Sequence, residues 1–300
     1  GDDAAWVANP SRSSLVTADL LIEGIHFDLK WTSLFDLGYK TLAVNLSDIA
    51  AMGGMPAYLI LSLGIPPAFD SGDIEEFYRG IRFLAAKHGV ALVGGDTNAA
   101  KLLIISACVL GHAPHLPIRR SGAKAGDDIY VTGTLGDSAL ALKFLKSRSL
   151  RANRDTVRYL LSRHHRPTPR ITAGALLARE RLATAMIDVS DGLIQDLGHI
   201  CKASGIGAKI WADKLPLSRA YRTLAGKAGT RYALSGGEDY ELLFCARKRD
   251  RGRIEKLHTR APVAITRIGT CDSGKNGIVV LDPAGNPIET RAAGHDHFKK

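Results

Sequence analysis

Residues 41–54, TLAVNLSDIAAMGG, decide the fold. They scan as the second half of a helix starting near Ser33. At about 100° per residue, Phe35, Leu42, Ala43, Leu46, Ile49 and Ala50 share one apolar arc. Thr41, Asn45, Asp48 and Met52 form a second, narrow stripe, and Gly53 and Gly54 end the helix. A helix this apolar is expected to be buried. A buried carboxylate such as Asp48 is costly unless it is paired or bound to a metal. No Lys or Arg follows at helical spacing to pair with it, and the rest of the chain supplies further acids instead.

Outward from that helix, apolar runs at 15–18, 57–64, 90–93 and 102–110 read as strands, with a helix at 73–88 capped by Ser71. Pro114 and Pro117 mark a domain boundary. Beyond it, strands are expected at 129–132, 184–189, 209–211, 240–246 and 278–281, with helices after Gly136 and after Ser190-Asp191-Gly192. The alternation predicts an α/β fold of α+β character in two domains. Residues 1–115 form an N-terminal mixed-sheet domain and 116–300 a C-terminal α/β domain.

Composition narrows the class. The apolar fraction of 45% and charged fraction of 23% are those of a soluble globular chain. The longest apolar run, 58–65, is too short for a membrane span. Cys108, Cys201, Cys245 and Cys271 are widely spaced, so neither a zinc site nor a disulfide frame is indicated and a reducing cytoplasm is expected. The net charge of +10 is dispersed without interleaved aromatics, which argues for a basic surface and anionic small molecules over nucleic acid.

Six motifs share one grammar: Gly1-Asp2-Asp3, Thr17-Ala18-Asp19, Asn45-Leu46-Ser47-Asp48, Gly94-Gly95-Asp96-Thr97, Asp188-Val189-Ser190-Asp191-Gly192 and Gly236-Gly237-Glu238-Asp239. Most fall where an apolar strand is expected to end, the usual place for ligands in α/β folds. One Asp at a strand end is more often a turn or cap residue, and Asp191 alone reads equally as a helix cap. Together, converging carboxylates repel unless cations sit among them. Oxygen-only ligation suits Mg²⁺ or Mn²⁺, and several such ions imply a polyphosphate. There is no GxxxxGK[ST] loop and no kinase catalytic-loop signature.

Taken in order, GDDAA, TADLLIEGIHF, KTLAVNLSDIAAMGG, LVGGDT, RRSGAKAGDDIYVTGTLGDSA, RPTPR, IDVSDGLIQDLGHI, ALSGGEDYELLF and the closing DHF resemble bacterial thiamine-monophosphate kinases. That family lies within the ATP-binding superfamily related to aminoimidazole-ribotide synthase. The resemblance implies a homodimer built through the N-terminal domains and transfer of the ATP γ-phosphate to thiamine monophosphate. It implies several Mg²⁺ ions held by Asp3, Thr17, Ala18 (through its backbone), Asp19, Asp48, Asp96, Asp188 and Asp191. Among these, Asp48, Asp96 and Asp188 are the catalytic candidates. ATP would meet Gly95, Asp96, Arg120 and Ser190, with His88 where some relatives place a Tyr near the nucleotide. The thiamine phosphate would meet His26 and Glu238.

Two departures stand out. Members carry a further segment with a helix ahead of the GDD motif, so a longer native N-terminus is expected. Members also often place an aromatic shortly before the closing Asp-His-Phe, where it can stack on thiamine; this chain has Ala292 and Ala293. Two rival readings remain at this point. One is another ATP-using enzyme of the superfamily, and the other is a metal–nucleotide binding protein without turnover.

Overall fold

The computed structural model describes residues 1–8, 13–147, 153–257, 259–274 and 277–288. Ala292 and the closing motif lie outside the described residues.

The first five strands are β1 (Ala5–Ala8), β2 (Ser13–Ile22), β3 (Met55–Ile65), β4 (Ala91–Ala99) and β5 (Ile104–Ala113). They form a mixed sheet in the order β1-β2-β5-β3-β4, in which only β3 and β4 run parallel. Helix α1 (Leu34–Ala51) crosses one face, with Ser33 as its N-cap accepting from the Asp36 amide. Helix α2 (Ser71–His88) packs on α1. Its N-cap is Asp70, not Ser71, because Asp70 and Asp73 exchange side-chain and backbone bonds in a capping box.

The second half contributes β6 (Asp128–Thr132), α3 (Asp137–Ser147), α4 (Arg154–His165), α5 (Ile171–Arg179), β7 (Ala183–Asp188), α6 (Leu193–Ser204) and β8 (Gly207–Trp211). It continues through α7 (Arg219–Ala225), α8 (Arg231–Ser235), β9 (Leu242–Ala246), α9 (Arg251–Leu257), β10 (Ile265–Asp272), β11 (Ile278–Leu281) and β12 (Pro287–Ile288). The seven strands order as β12-β11-β8-β10-β6-β9-β7.

Helix α1 is the axle between the two sheets. Leu42, Leu46 and Ile49 are fully buried among Leu15, Leu61 and Ile105 of the first sheet and Leu177, Leu242 and Phe244 of the second half. Strand β9 alternates accordingly: Leu242 and Phe244 face this shared core, whereas Leu243 and Cys245 face a second core with Ile187, Leu197 and Ile210. The fit of α1 against α5 is close. A Cβ at Gly174 would stand 2.1 Å from the Ala50 carbonyl oxygen, so any larger residue would force the helices apart. Burial on both sides is why the helix could be recognised from its apolar arc, and it places Asp48 at the seam between the halves.

Strand β4 differs from its expected span. It does not stop at Gly94 but runs on through Gly95, Asp96 and Thr97, because β3 extends far enough to pair with it as far as Ala99. The register sets Asp96 beside Ser62, Ser62 beside Ser106, and Ser106 beside Leu20. That row alternates with the buried positions Leu61 and Leu63, so Asp96 belongs to the outer face of the sheet.

Candidate active site

The cavity of interest, about 570 Å³, opens where β2 outruns β1. Strand β1 covers β2 only as far as Val16, which leaves the edge at Asp19–Ile22 free to line a ligand site. Asp19 therefore lies within the strand, not at its end. Asp48 from α1, and Asp188, Ser190 and Asp191 from the end of β7 and the turn after it, line the same end. Ile25, His26, Phe27 and Trp31 from the loop after β2, with Val44, Leu142, His164 and Glu238, complete the lining, and Lys40, which holds Glu238, stands eight residues, about 12 Å, along α1 from Asp48.

At the acidic end, oxygens of Asp3, Asp48 and Asp188 all lie within 4.8 Å of one another. Thr17 donates to Asp48 (Oγ1 to Oδ2, 2.5 Å) and Ser47 donates to Asp188 (Oγ to Oδ2, 2.6 Å). Arg120 reaches Asp3 through Nη2 at 3.1 Å and Nε at 3.3 Å. One guanidinium is too little for three acids. Burial, and after it the charges of Asp19 and Asp3, push the Asp48 carboxyl well above its usual range. Burial followed by Asp48 and Asp3 does the same to Asp188. Asp3 is raised by burial despite Arg120, and Asp19 is raised by burial. Hard oxygen donors forced together in this way suit divalent Mg-type cations.

Asp191 does not cap α6. Its carboxylate accepts from Gln195, and Asp196 takes the amides of Ser190, Asp191 and Gly192 at 3.0–3.1 Å. Burial, then Asp191, raises Asp196 to about 8. Asp191, Asp196 and His199 form a second group able to surround a cation.

At the opposite end, the loop 236–241 distributes its side chains among four destinations. Glu238 pairs with Lys40 (Oε1–Nζ, 2.8 Å) and lies 3.3 Å from His164 Nδ1 through Oε2. Asp239 accepts from the Gly136 and Ser138 amides at the start of α3. Tyr240 points into the cavity, and Glu241 turns away to Arg163 and Arg170. The loop is stitched to β7 by Glu238 N to Ser190 O (2.7 Å) and Tyr240 N to Val189 O (2.9 Å). Gly237 permits that approach, since a Cβ there would stand 2.4 Å from the Ser190 carbonyl oxygen. Strand β9 consequently starts at Leu242 and not at Tyr240: Glu238 and Tyr240 both have positive φ, which no strand accommodates. Burial would raise the Glu238 carboxyl, but the paired Lys40 outweighs it and holds it below the ordinary value. Burial, then Lys40, lowers His164 to about 3.

Of the residues expected from sequence, Asp3, Thr17, Asp19, Asp48, Asp188 and Arg120 converge, Asp191 and Ser190 adjoin them, and His26 and Glu238 line the far end. His26 accepts the Ile22 amide at Nδ1, 3.0 Å. Ala18 sits beside Thr17 with its side chain on the outer face, leaving only its backbone toward the site. Gly95, Asp96 and His88 are not brought there. Asp96 lies three strands from Asp19, about 14 Å across the sheet, and on the opposite face. Its carboxylate bonds the Thr97 amide and Asn98. His88 closes the last turn of α2, away from the cavity. Lys40, Ser47, Trp31, His164 and Tyr240 were missed. Lys40, Val44, Ser47 and Asp48 share one helical face, so a stripe read one residue earlier would have found the first two. Thr41 and Asn45 instead point into the packing, fully buried.

Residues 1–113 match the N-terminal domain of AIR synthase related proteins, and residues 124–282 match their C-terminal domain. The chain is 42% identical to thiamine-monophosphate kinase of Salmonella typhimurium over 99% of this chain and 91% of that one. It superposes on the crystal structure of thiamine-monophosphate kinase from Stenotrophomonas maltophilia with a TM-score of 0.85 at 42% identity, covering 93% and 89% of the two chains. It superposes on AaThiL complexed with AMPPCP and TMP with a TM-score of 0.86 at 33% identity, covering 98% and 91%. With both domain types in order and the acid-lined seam between them, this chain belongs to the thiamine-monophosphate kinase family of AIR synthase related proteins.

Proposed function

We propose that this chain transfers the γ-phosphate of ATP to thiamine monophosphate, giving thiamine diphosphate. The observation that carries the reading is a single cavity with two unlike ends: three mutually close carboxylates at one, and an ionised Glu238 with Trp31 and Phe27 at the other. The second end fits a cationic aromatic ring, through charge and through ring faces. The first fits polyphosphate held through cations.

The chemistry needs little from the protein covalently. A phosphate monoester has a second pKa of about 6, so at neutral pH the acceptor is already an oxyanion nucleophile. What the chain must do is hold two anions in line and keep water out. Asp3, Asp48 and Asp188, with Thr17, Asp19, the Ala18 carbonyl and Asp191 beside them, are the residues that would hold several Mg²⁺ ions. Bound Mg²⁺ would neutralise the phosphate charge that otherwise keeps donor and acceptor apart. Arg120 and Ser190 stand where ATP phosphates would reach them. Ser47 and Lys40, both on α1, hold Asp188 and Glu238 of the other half in place. Residues 1–115 serve in this reading as the metal-, ATP- and dimer-forming domain, and 116–300 complete the site.

Assembly belongs to the same reading. Leu20, Tyr58 and Ile60 are between 39% and 51% exposed on the outer face of the first sheet, and Leu92 and Val93 are exposed on its open edge β4. Two such faces packed together in a homodimer would cover them. Gly95 and Asp96 lie in that surface, so their contacts to ATP would be made across the subunit boundary. No helix among the described residues is long and apolar enough to cross a membrane, and the four cysteines are free thiols, in keeping with a cytoplasmic enzyme. Incubation with Mg²⁺, ATP and thiamine monophosphate should yield thiamine diphosphate. ADP release indifferent to thiamine monophosphate, with no diphosphate formed, would sink the reading. Light scattering should give about twice the 32.2 kDa chain mass, and a monomer at micromolar concentration would contradict the dimer.

A further inference from the structure

Tyr240 has a conformation that its own sequence position does not favour. Its φ is +50°, in a region where a bulky residue is an outlier, and Glu238 two residues earlier is at +66°. Strain of this kind persists only where the surroundings impose it. Here the imposing bonds are visible: Tyr240 N to Val189 O and, one residue on, Val189 N to Glu241 O at 2.8 Å. The result is that the phenol does not continue the alternation of β9 but is turned into the cavity.

It enters at a particular place. Tyr240 follows Glu238 by two residues, and its amide is bonded to the carbonyl of Val189, the neighbour of Asp188, so it lines the cavity between the two. The ring therefore stands at the junction between the ring-binding end and the acidic end. Its hydroxyl is bonded to no other described residue and is not sealed into the protein, so as part of the cavity lining it is free to donate to a ligand. A ligand that spans the two ends would bring an oxygen to this hydroxyl. In a molecule whose aromatic part lies by Trp31 and Glu238, and whose charge lies by Asp48 and Asp188, the group at that junction is the phosphate ester.

We propose that the Tyr240 hydroxyl donates a hydrogen bond to the phosphate of the acceptor substrate, fixing the nucleophilic group at the boundary between the two ends of the cavity. This deepens the reading of the site as that of a thiamine-phosphate kinase and rests on it. Tyr240→Phe removes the donor and keeps the ring and the backbone. The test compares wild type and variant by calorimetric titration with thiamine monophosphate and, separately, with unphosphorylated thiamine. A hydrogen bond to a charged group predicts that binding of the monophosphate weakens about tenfold or more while that of thiamine is unchanged. Equal weakening of both ligands would assign the side chain to ring contact, and no weakening of either would leave the hydroxyl without a ligand role; each overturns the proposal. Wild-type protein that binds neither ligand would overturn the reading of the site itself and this proposal with it.

Discussion

Asp188 and Glu241 are both buried, 2% and 0% exposed, and they flank the same pair of strands. Their surroundings are opposite. Glu241 receives Arg170 through Nε and Nη2 (2.6 and 2.5 Å), Arg163 (2.7 Å) and Thr132 (2.7 Å). Burial would raise its carboxyl, but these partners hold it below the ordinary value. Asp188 receives Ser47 and then faces Asp48 and Asp3, and is raised. A buried acid surrounded by cations serves the fold. A buried acid surrounded by acids is kept for something the fold does not supply.

The largest test of that contrast is Asp48→Asn. Asn keeps the shape but loses the charge that would hold the cations. Turnover should fall by several orders of magnitude, and excess Mg²⁺ should recover only part of it. Folding should survive, because the acidic end has lost one of its mutually repelling members. A clearly lower melting temperature with a near-normal rate would show instead that Asp48 is structural. The counterpart is Glu241→Gln, which takes from Arg170 its bidentate carboxylate and leaves Arg163 only the more distant Asp137. Breaking such a set typically costs about 3–5 kcal/mol, so chemical denaturation should show a large loss of stability. Stability within 1 kcal/mol of wild type, on the order of a surface change, would remove the structural half of the comparison.

The fold was legible where local pattern and burial agree. The apolar arc of α1 could be read because it is local. So could the acid motifs, as types. Their destinations could not. Asp96 shares its grammar with Asp19, yet the pairing register of β3 and β4 sends it to the other face, and register is a property of strands distant in sequence. Lys40 was missed for a related reason: its partner Glu238 lies in the other half of the chain. Tyr240 was missed because alternation assigns it to a strand, and only the pull of Val189 turns it out.

Titration sharpens the contrast further. Burial and the neighbouring acids raise the folded-state pKa of Asp48 well above the ordinary carboxylate range. Such a group is most favourable to folding below the unfolded value and becomes unfavourable as pH rises through the folded one. In metal-free protein, the melting-temperature difference between Asp48→Asn and wild type should be smallest near pH 4 and grow in the variant's favour toward pH 7. Glu241 has the opposite sign. Its contribution is present above the ordinary carboxylate value and is lost as pH falls through the depressed folded value, so Glu241→Gln should approach wild type in acid. Matching slopes for the two variants would mean that the two acids do not differ as their partners suggest.

The smallest expected effect lies at the far end of the cavity, in the contact between His164 and Glu238. A separation of 3.3 Å allows two readings. If the imidazole were protonated and paired with Glu238, its folded pKa would exceed the unfolded value and acid would stabilise the protein. The surroundings argue the other way. Burial is the largest influence, Lys40 already pairs with Glu238 and repels a second cation, and His165 and Lys146 add to that repulsion. Ser138 Oγ, 2.9 Å from Nδ1, gives the neutral ring a partner. With a folded value of about 3 against the ordinary imidazole value of 6.5, the unfolded chain binds the proton first. Stability is then fully present above the unfolded value and falls as pH drops below it. His164→Gln has nothing to titrate, so its melting temperature should vary less than that of wild type between neutral pH and mild acid. A wild-type protein that gains stability over that interval relative to the variant would establish the charged pair, and would place a second cation beside Glu238 where the substrate ring is expected to bind.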